Sequence, residues 1–200
     1  MVLTRRTLFA ATAALAALPA HAAEADPRMS DRALGDPAAR VVMQEFFSLT
    51  CTHCAAWSVQ VFPQVEQQLI ATGKVRYIYR DFPLDRVALT AAMVARALPP
   101  ARYEAFVNAL LASQDRWAFG RDVNSTEELY KSAALAGMNR TLFDATVSDD
   151  GLRTAILKAQ QAGADRYKID STPTFVINDK PVSGEQSYDA IARLVAAATA

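Results

Sequence analysis

The only two cysteines of this 200-residue chain stand together as Cys51-Thr52-His53-Cys54, at the junction of two sequence patterns of different period. Before them, Val41-Val42-Met43-Gln44-Glu45-Phe46-Phe47 is a β-branched and aromatic run, which predicts a strand. After them, Thr52 to Ala71 lacks interior glycine and repeats Trp57, Val61, Val65 and Leu69 at helical spacing. Pro63 predicts a kink or break within that helix. Lys74 to Arg80 then alternates Val75, Tyr77 and Tyr79 against Arg76, Ile78 and Arg80, a second strand. Strand, helix and strand within about forty residues make a βαβ unit, with the cysteines where the first strand feeds the helix.

That position has chemical consequences. The first turn of a helix carries backbone N–H groups without intrahelical partners, and these favour an anion together with the helix dipole. Cys51 would therefore hold a thiolate of lowered pKa, with Cys54 one turn further in and able to close a disulfide with it. His53 can add positive charge and a donor toward the thiolate. A stabilised thiolate favours the dithiol state, which makes the disulfide a stronger oxidant. A structural staple is a poor alternative, since so small a loop recovers only about 2 kcal/mol of chain entropy. A zinc site wants four ligands, mostly Cys and His, and past the leader His53 is the only histidine. Two incidental buried thiols are the remaining bland reading. The pair reads best as a redox site needing neither metal nor organic cofactor.

Further along, Val87 to about Tyr167 is a succession of Ala-rich helical segments, broken at Pro99-Pro100, Gly120 to Ser125, Gly137 and near Gly151. Tyr103, Phe106, Leu110 and Leu111 read as the core of this block. Trp117 and Phe119 are expected to be buried in preference to lining a groove, and Asp149-Asp150 to open a helix. Thr174-Phe175-Val176-Ile177 is a strand, Asn178-Asp179 a turn, Lys180 to Val182 a paired strand and Ser187 to Ala198 a closing helix. Thr172-Pro173 immediately precedes the third strand, a place where proline is tolerated. Glu45 shares the facing parity of Val41, Met43 and Phe47. An acid facing inward is costly unless it has a partner or a task, so it becomes a candidate site residue.

The N-terminus is expected to be a leader over residues 1–22. Arg5 and Arg6 precede the apolar run Leu8 to Leu18, and Ala20-His21-Ala22 offers small residues for cleavage. The run is shorter than the roughly 20 residues of a membrane span, so no stable membrane insertion is expected. Thr4-Arg5-Arg6-Thr7-Leu8-Phe9 suits twin-arginine export as well as an ordinary basic region. Either route predicts an oxidising compartment, the bacterial periplasm. With 21 Lys+Arg against 21 Asp+Glu overall, nothing predicts a nucleic-acid partner.

The order strand, Cys-x-x-Cys helix, strand, helical insertion, Thr-Pro, hairpin and last helix resembles the DsbA-type thiol–disulfide oxidoreductases of the thioredoxin superfamily. Phe46-Phe47-Ser48-Leu49-Thr50-Cys51-Thr52-His53-Cys54 and Ser171-Thr172-Pro173-Thr174-Phe175 carry the resemblance, over roughly Val41 to Ala198. It implies an α/β thioredoxin fold with an inserted helical domain. Residues 37–86 and 168–200 would form the thioredoxin part, 87–167 the insertion and 23–36 a flexible lead-in. It implies a cis Pro173 against the cysteines, and Thr172 and Thr52 holding substrate beside it. It implies that Glu45 moves a proton near the inner cysteine. The activity implied is donation of the Cys51–Cys54 disulfide to reduced, folding exported proteins, with a membrane quinone-linked partner of the DsbB type as reoxidant. The best-known members have Pro-His between the cysteines and Val before the proline; here they are Thr52-His53 and Thr172, positions that tune potential and substrate hold. No long dimerisation segment precedes Val41, which predicts a monomer. An isomerase or reductase kept reduced by a membrane donor would use the same residues, and a periplasmic chaperone is the reading from another class.

Overall fold

The computed structural model describes residues 26–199; the expected leader lies outside them. Strands β1 (Arg32–Leu34), β2 (Val41–Phe47), β3 (Val75–Asp81), β4 (Thr174–Ile177) and β5 (Lys180–Ser183) form one sheet in the order β1-β3-β2-β4-β5. β2 and β3 are parallel, as a strand–helix–strand crossover requires, with Met43 opposite Tyr77 and Glu45 opposite Tyr79. β4 runs antiparallel to β2 on its other side, Glu45 opposite Phe175. β2 is thus central and nearly all of it is buried, which is why its sequence is almost continuously apolar.

The crossover helix breaks where proline requires it. α1 (Thr52–Gln60) stops at Val61, whose backbone leaves helical geometry at φ −116°, and α2 (Phe62–Val65) restarts with Pro63 in its first turn. A π turn over Glu66–Ile70 follows, closed by the Ala71 N–H on the Glu66 carbonyl at 2.8 Å. Beneath α1, Trp57 packs on Phe175 at 4.6 Å and on Phe62 at 5.8 Å between ring centres. These rings belong to the same buried cluster as the two cysteines.

Between β3 and β4 the chain is all helix: α3 (Arg86–Ala97), α4 (Pro100–Leu111), α5 (Gln114–Trp117), α6 (Ser125–Leu135), α7 (Arg140–Val147) and α8 (Asp150–Tyr167), with α9 (Tyr188–Thr199) closing the chain. Tyr103, Phe106, Leu110 and Leu111 are buried, and Asp149 caps α8 by accepting from the Leu152 N–H at 2.9 Å. Trp117 is buried as expected, its indole N–H on the Leu110 carbonyl at 2.8 Å. Phe119 is not: it stands 53% exposed, because α5 ends at Trp117 and the chain turns outward after it.

The flexible lead-in expected over 23–36 is also overturned in its described part. Pro27–Met29 forms a 3-10 turn, and β1 pairs antiparallel with β3, Arg32 opposite Tyr79. Charge and stacking hold it, not periodicity. Arg28 binds Asp26 and Asp149 at 2.6 and 2.7 Å, and Arg32 donates to the Arg96 carbonyl at 3.1 Å with its guanidinium over the Tyr103 ring.

The last helix of the insertion, α8, meets the sheet at a close approach. A Cβ on Gly163 of α8 would lie 2.4 Å from Cε1 of Phe46, a ring fully enclosed by Phe82, Ile169 and Val176. Alanine gains about 1 kcal/mol of helix propensity over glycine, but overpacking a core costs about 1–3 kcal/mol. Gly163→Ala is expected to be destabilising by about 1 kcal/mol net, read as a lower urea midpoint at unchanged slope. A raised midpoint would mean that α8 and β2 can part without loss.

Candidate active site

The site begins where β2 ends. Ser48 to Thr50 form a tight loop, with the Cys51 N–H on the Ser48 carbonyl at 3.1 Å and the Ser48 hydroxyl accepting from the Leu84 N–H at 3.3 Å. The Thr50 hydroxyl donates to Asp85 at 2.6 Å. From the helical insertion, the buried Gln114 amide donates to the Leu49 and Cys51 carbonyls at 2.9 and 3.0 Å. The loop is therefore held from both sides before the first cysteine.

Cys51 is the N-cap of α1. Its backbone is extended (φ −81°, ψ 117°) and its sulfur accepts from the Cys54 N–H at 3.2 Å. A sulfur stands where Ser, Thr, Asp or Asn usually caps a helix, so the helix start itself solvates a thiolate. Hydrogen bonding from the Cys54 thiol, and from the backbone N–H groups of Cys54 and His53, outweighs burial and lowers the Cys51 pKa to about 6. Cys54 is fully buried, and burial pushes its thiol well above the ordinary range. The two sulfurs, both free thiols in this structure, are thus held in opposite protonation states near neutral pH.

On the other side, the Cys51 thiol donates to the Thr172 carbonyl at 3.3 Å, and the Thr172–Pro173 peptide bond is cis. Thr172 lies against Cys51 through that hydrogen bond and Pro173 is buried, while exposed Thr52 and His53 face solvent. His53 Nδ1 lies 2.5 Å from Oε1 of Glu185, and that bond raises the His53 pKa.

Glu45 is enclosed, 3% exposed, which excludes a solvated strand-edge acid. The Tyr77 hydroxyl donates to its Oε2, and Oε1 has no partner. Burial raises its pKa to about 8 despite the opposing hydrogen bond from Tyr77. Near neutral pH the carboxyl is mostly protonated, and its charge couples to that of Cys54. Among the described residues no group of three or more His, Cys, Asp or Glu is placed to hold a metal ion.

Three residues of this site escaped sequence reasoning. Tyr77 follows from the β2–β3 register, which puts it on Glu45's face of the sheet. Glu185 sits in the loop after β5, and Gln114 in the insertion, where no local pattern marks either.

Comparison with known proteins gives a consistent setting. The sequence pattern of the family described as Thioredoxin matches residues 28–197. A Rickettsia felis protein named "Putative protein-disulfide oxidoreductase" is 29% identical over 167 residues, covering 83% of this chain and 59% of that protein. The chain thus spans about three-fifths of the length of the curated relatives it matches. The alpha-DsbA1 structure of Wolbachia pipientis superposes with a TM-score of 0.76 at 30% identity, over 86% of this chain and 94% of that one. A protein-disulfide isomerase structure from Novosphingobium aromaticivorans gives 0.72 at 22% identity, over 84% and 96%, a likeness of fold.

Two measurements check the electrostatics. Thiolate absorbance should titrate Cys51 with a midpoint of about 6, and Cys54→Ala should raise that midpoint by removing the largest stabilising hydrogen bond; an unmoved midpoint would reject this cause. The Glu45 proton is retained in the folded state where the unfolded chain releases it, so dithiol stability should fall as pH rises from 4.5 toward 8. At pH 7 the loss is on the order of 3 kcal/mol. Glu45→Gln should flatten the decline in urea denaturation, and a decline of undiminished slope would assign it to another group.

Proposed function

This chain belongs to the thioredoxin family, in its DsbA-type branch, and on that premise we propose that it is a thiol–disulfide oxidoreductase donating the Cys51–Cys54 disulfide to reduced exported proteins. One observation carries the reading: the outer sulfur is poised as a thiolate, with a pKa of about 6, while the inner one is kept protonated three residues away. At pH 7 about nine-tenths of Cys51 is then thiolate. A pair that stabilises its own dithiol state in this way gives up its disulfide readily.

The mechanism follows from those two environments. A substrate thiolate attacks Cys51 Sγ of the oxidised pair, forming the mixed disulfide and expelling the Cys54 sulfur with the electron pair of the broken bond. The inner sulfur is too buried to remain an anion, and Glu45, neutral near pH 7 and bonded by Tyr77, is the acid that supplies its proton. A second substrate thiolate then attacks the substrate sulfur of the mixed disulfide, and Cys51 leaves as the stabilised thiolate. The substrate is oxidised and the enzyme left as dithiol. When protonated, the form that Glu185 favours, His53 offsets the charge that develops at Cys51. Thr172, Pro173 and Thr52 form the substrate-holding surface. The Thr172 carbonyl, bonded to the Cys51 thiol in the dithiol form, is free to accept an N–H of an extended substrate chain once that thiol has lost its proton.

No metal or organic cofactor enters this chemistry; the disulfide is the oxidant. Turnover needs a reoxidant, for which a membrane quinone-linked protein of the DsbB type is our proposal. We place the protein in the periplasm as a monomer. Among the described residues, no helix is long and apolar enough to cross a membrane.

A second reading has an observation in its favour. The Cys51 value of about 6 lies nearer the value of about 7 of thioredoxin than the value of about 3.5 of DsbA, which suits a reductase or isomerase kept reduced. The reduction potential against glutathione separates the two. A potential of about −120 mV is expected for the oxidase, whereas about −270 mV would replace it with the reductase.

A further inference from the structure

A second concave site lies away from the cysteines, where β1, the end of α3 and the start of α4 meet. It is a cavity of about 510 Å³ whose lining includes four arginines, Arg28, Arg32, Arg96 and Arg102, and no acid. Two of these charges are matched. Arg28 is held by Asp26 and Asp149, and Arg96 is buried with Nε 2.6 Å from Asp81 Oδ2. The other oxygen of Asp81 accepts from the Tyr103 hydroxyl at 3.0 Å, so both of its oxygens are already engaged.

Arg32 and Arg102 have no such partner among the described residues. Arg32 is 5% exposed and donates only to the Ser30 hydroxyl and the Arg96 carbonyl, leaving its Nε unpaired. Its guanidinium and that of Arg96 share the Tyr103 ring, at 5.5 and 5.3 Å from its centre. Two guanidiniums on one carboxylate leave a buried cation uncompensated, an arrangement that costs free energy unless an anion completes it. Arg102 donates Nη1 to the Ala136 carbonyl at 2.5 Å. It fits there because Gly137 has no Cβ, which would stand 2.1 Å from that nitrogen. Opposite these charges the wall is apolar: Leu98, Pro99, Met138 and Leu142.

We propose that this cavity binds a small organic carboxylate, with its head on Arg32 and Arg102 and its aliphatic body against Leu98, Met138 and Leu142. The planar guanidinium fork matches a carboxylate, and the apolar wall gives an aliphatic chain a place that a bare inorganic anion would leave empty. The site is separate from the thiol chemistry and stands whether or not the oxidase reading does.

The test is calorimetric titration of the full chain with octanoate, with inorganic phosphate alongside. Saturable one-to-one binding of octanoate, clearly tighter than phosphate, is expected. Arg102→Met should weaken it about tenfold or more, as loss of a charge-assisted hydrogen bond does. Arg32→Met should do the same where circular dichroism shows it folded. Arg116→Met, in the adjoining groove between α4 and α6 that Arg102 also lines, is the control and should change nothing. No saturable binding at millimolar octanoate overturns the proposal. So does affinity lost in Arg116→Met, whether or not it is kept in Arg102→Met, or phosphate binding as tightly as octanoate. Thiol–disulfide exchange should be unchanged in Arg102→Met, so failure here and failure of the oxidoreductase reading are distinguishable.

Discussion

The hydrogen bond from the Cys54 amide to the Cys51 sulfur, 3.2 Å long, joins the backbone to the chemistry. It exists because β2 ends at Phe47 and the chain enters α1 after a three-residue turn, so the first helical amides point at the sulfur and not at another carbonyl. A helix start with an alcohol or carboxylate cap would be equally stable and chemically inert. With a thiol in that place, the same capping energy lowers a proton affinity. The requirement that the cap be extended and the next turn helical makes the Ser48–Thr50 loop worth holding so firmly, by Leu84 and Asp85 from one side and Gln114 from the other.

Behind that bond, burial acts in the opposite direction. Cys54 and Glu45 lie in the same dry layer beneath α1, and both lose water that their charged forms would need. Each anion also opposes the other, so the layer tolerates a proton more readily than a charge. Tyr77 offers Glu45 one hydrogen bond, too little to offset the loss of solvent, and leaves Oε1 unpaired. A buried, half-satisfied carboxyl is a liability for stability, and its position beside the inner sulfur gives that liability a use.

The helical insertion is more than an appendage. Gln114 reaches from α5 to the cysteine loop, and Arg96 and Tyr103 from α3 and α4 converge on Asp81 at the end of β3. The Gly163–Phe46 contact then packs α8 on the central strand. Some of this was legible beforehand. Tyr103 and Leu110 show helical period, Glu45 shows inward parity, and Pro63 marks the break it causes. Phe119 and the lead-in were misread for a common reason: a three-residue strand and a helix-end aromatic carry no period of their own. The lead-in is ordered by ionic and packing partners such as Asp149 and Tyr103, which are far away in the chain.

The sequence by itself determined most of the element types and the placing of two cysteines where strand passes to helix, because local period and turn chemistry dictate these. It also marked Thr172-Pro173 as a feature before the last hairpin, while what lies against it was a matter of resemblance. Tertiary structure alone decided the pairings that set proton affinities: Thr172 on Cys51 across 121 positions, Tyr77 on Glu45 across 32, and Glu185 on His53 across 132. It also decided that Arg32 would be a buried cation without an acid. Burial and long-range register are properties of the packed whole, and a pKa or an unpaired charge follows from them, so neither is written in the few residues around the group that carries it.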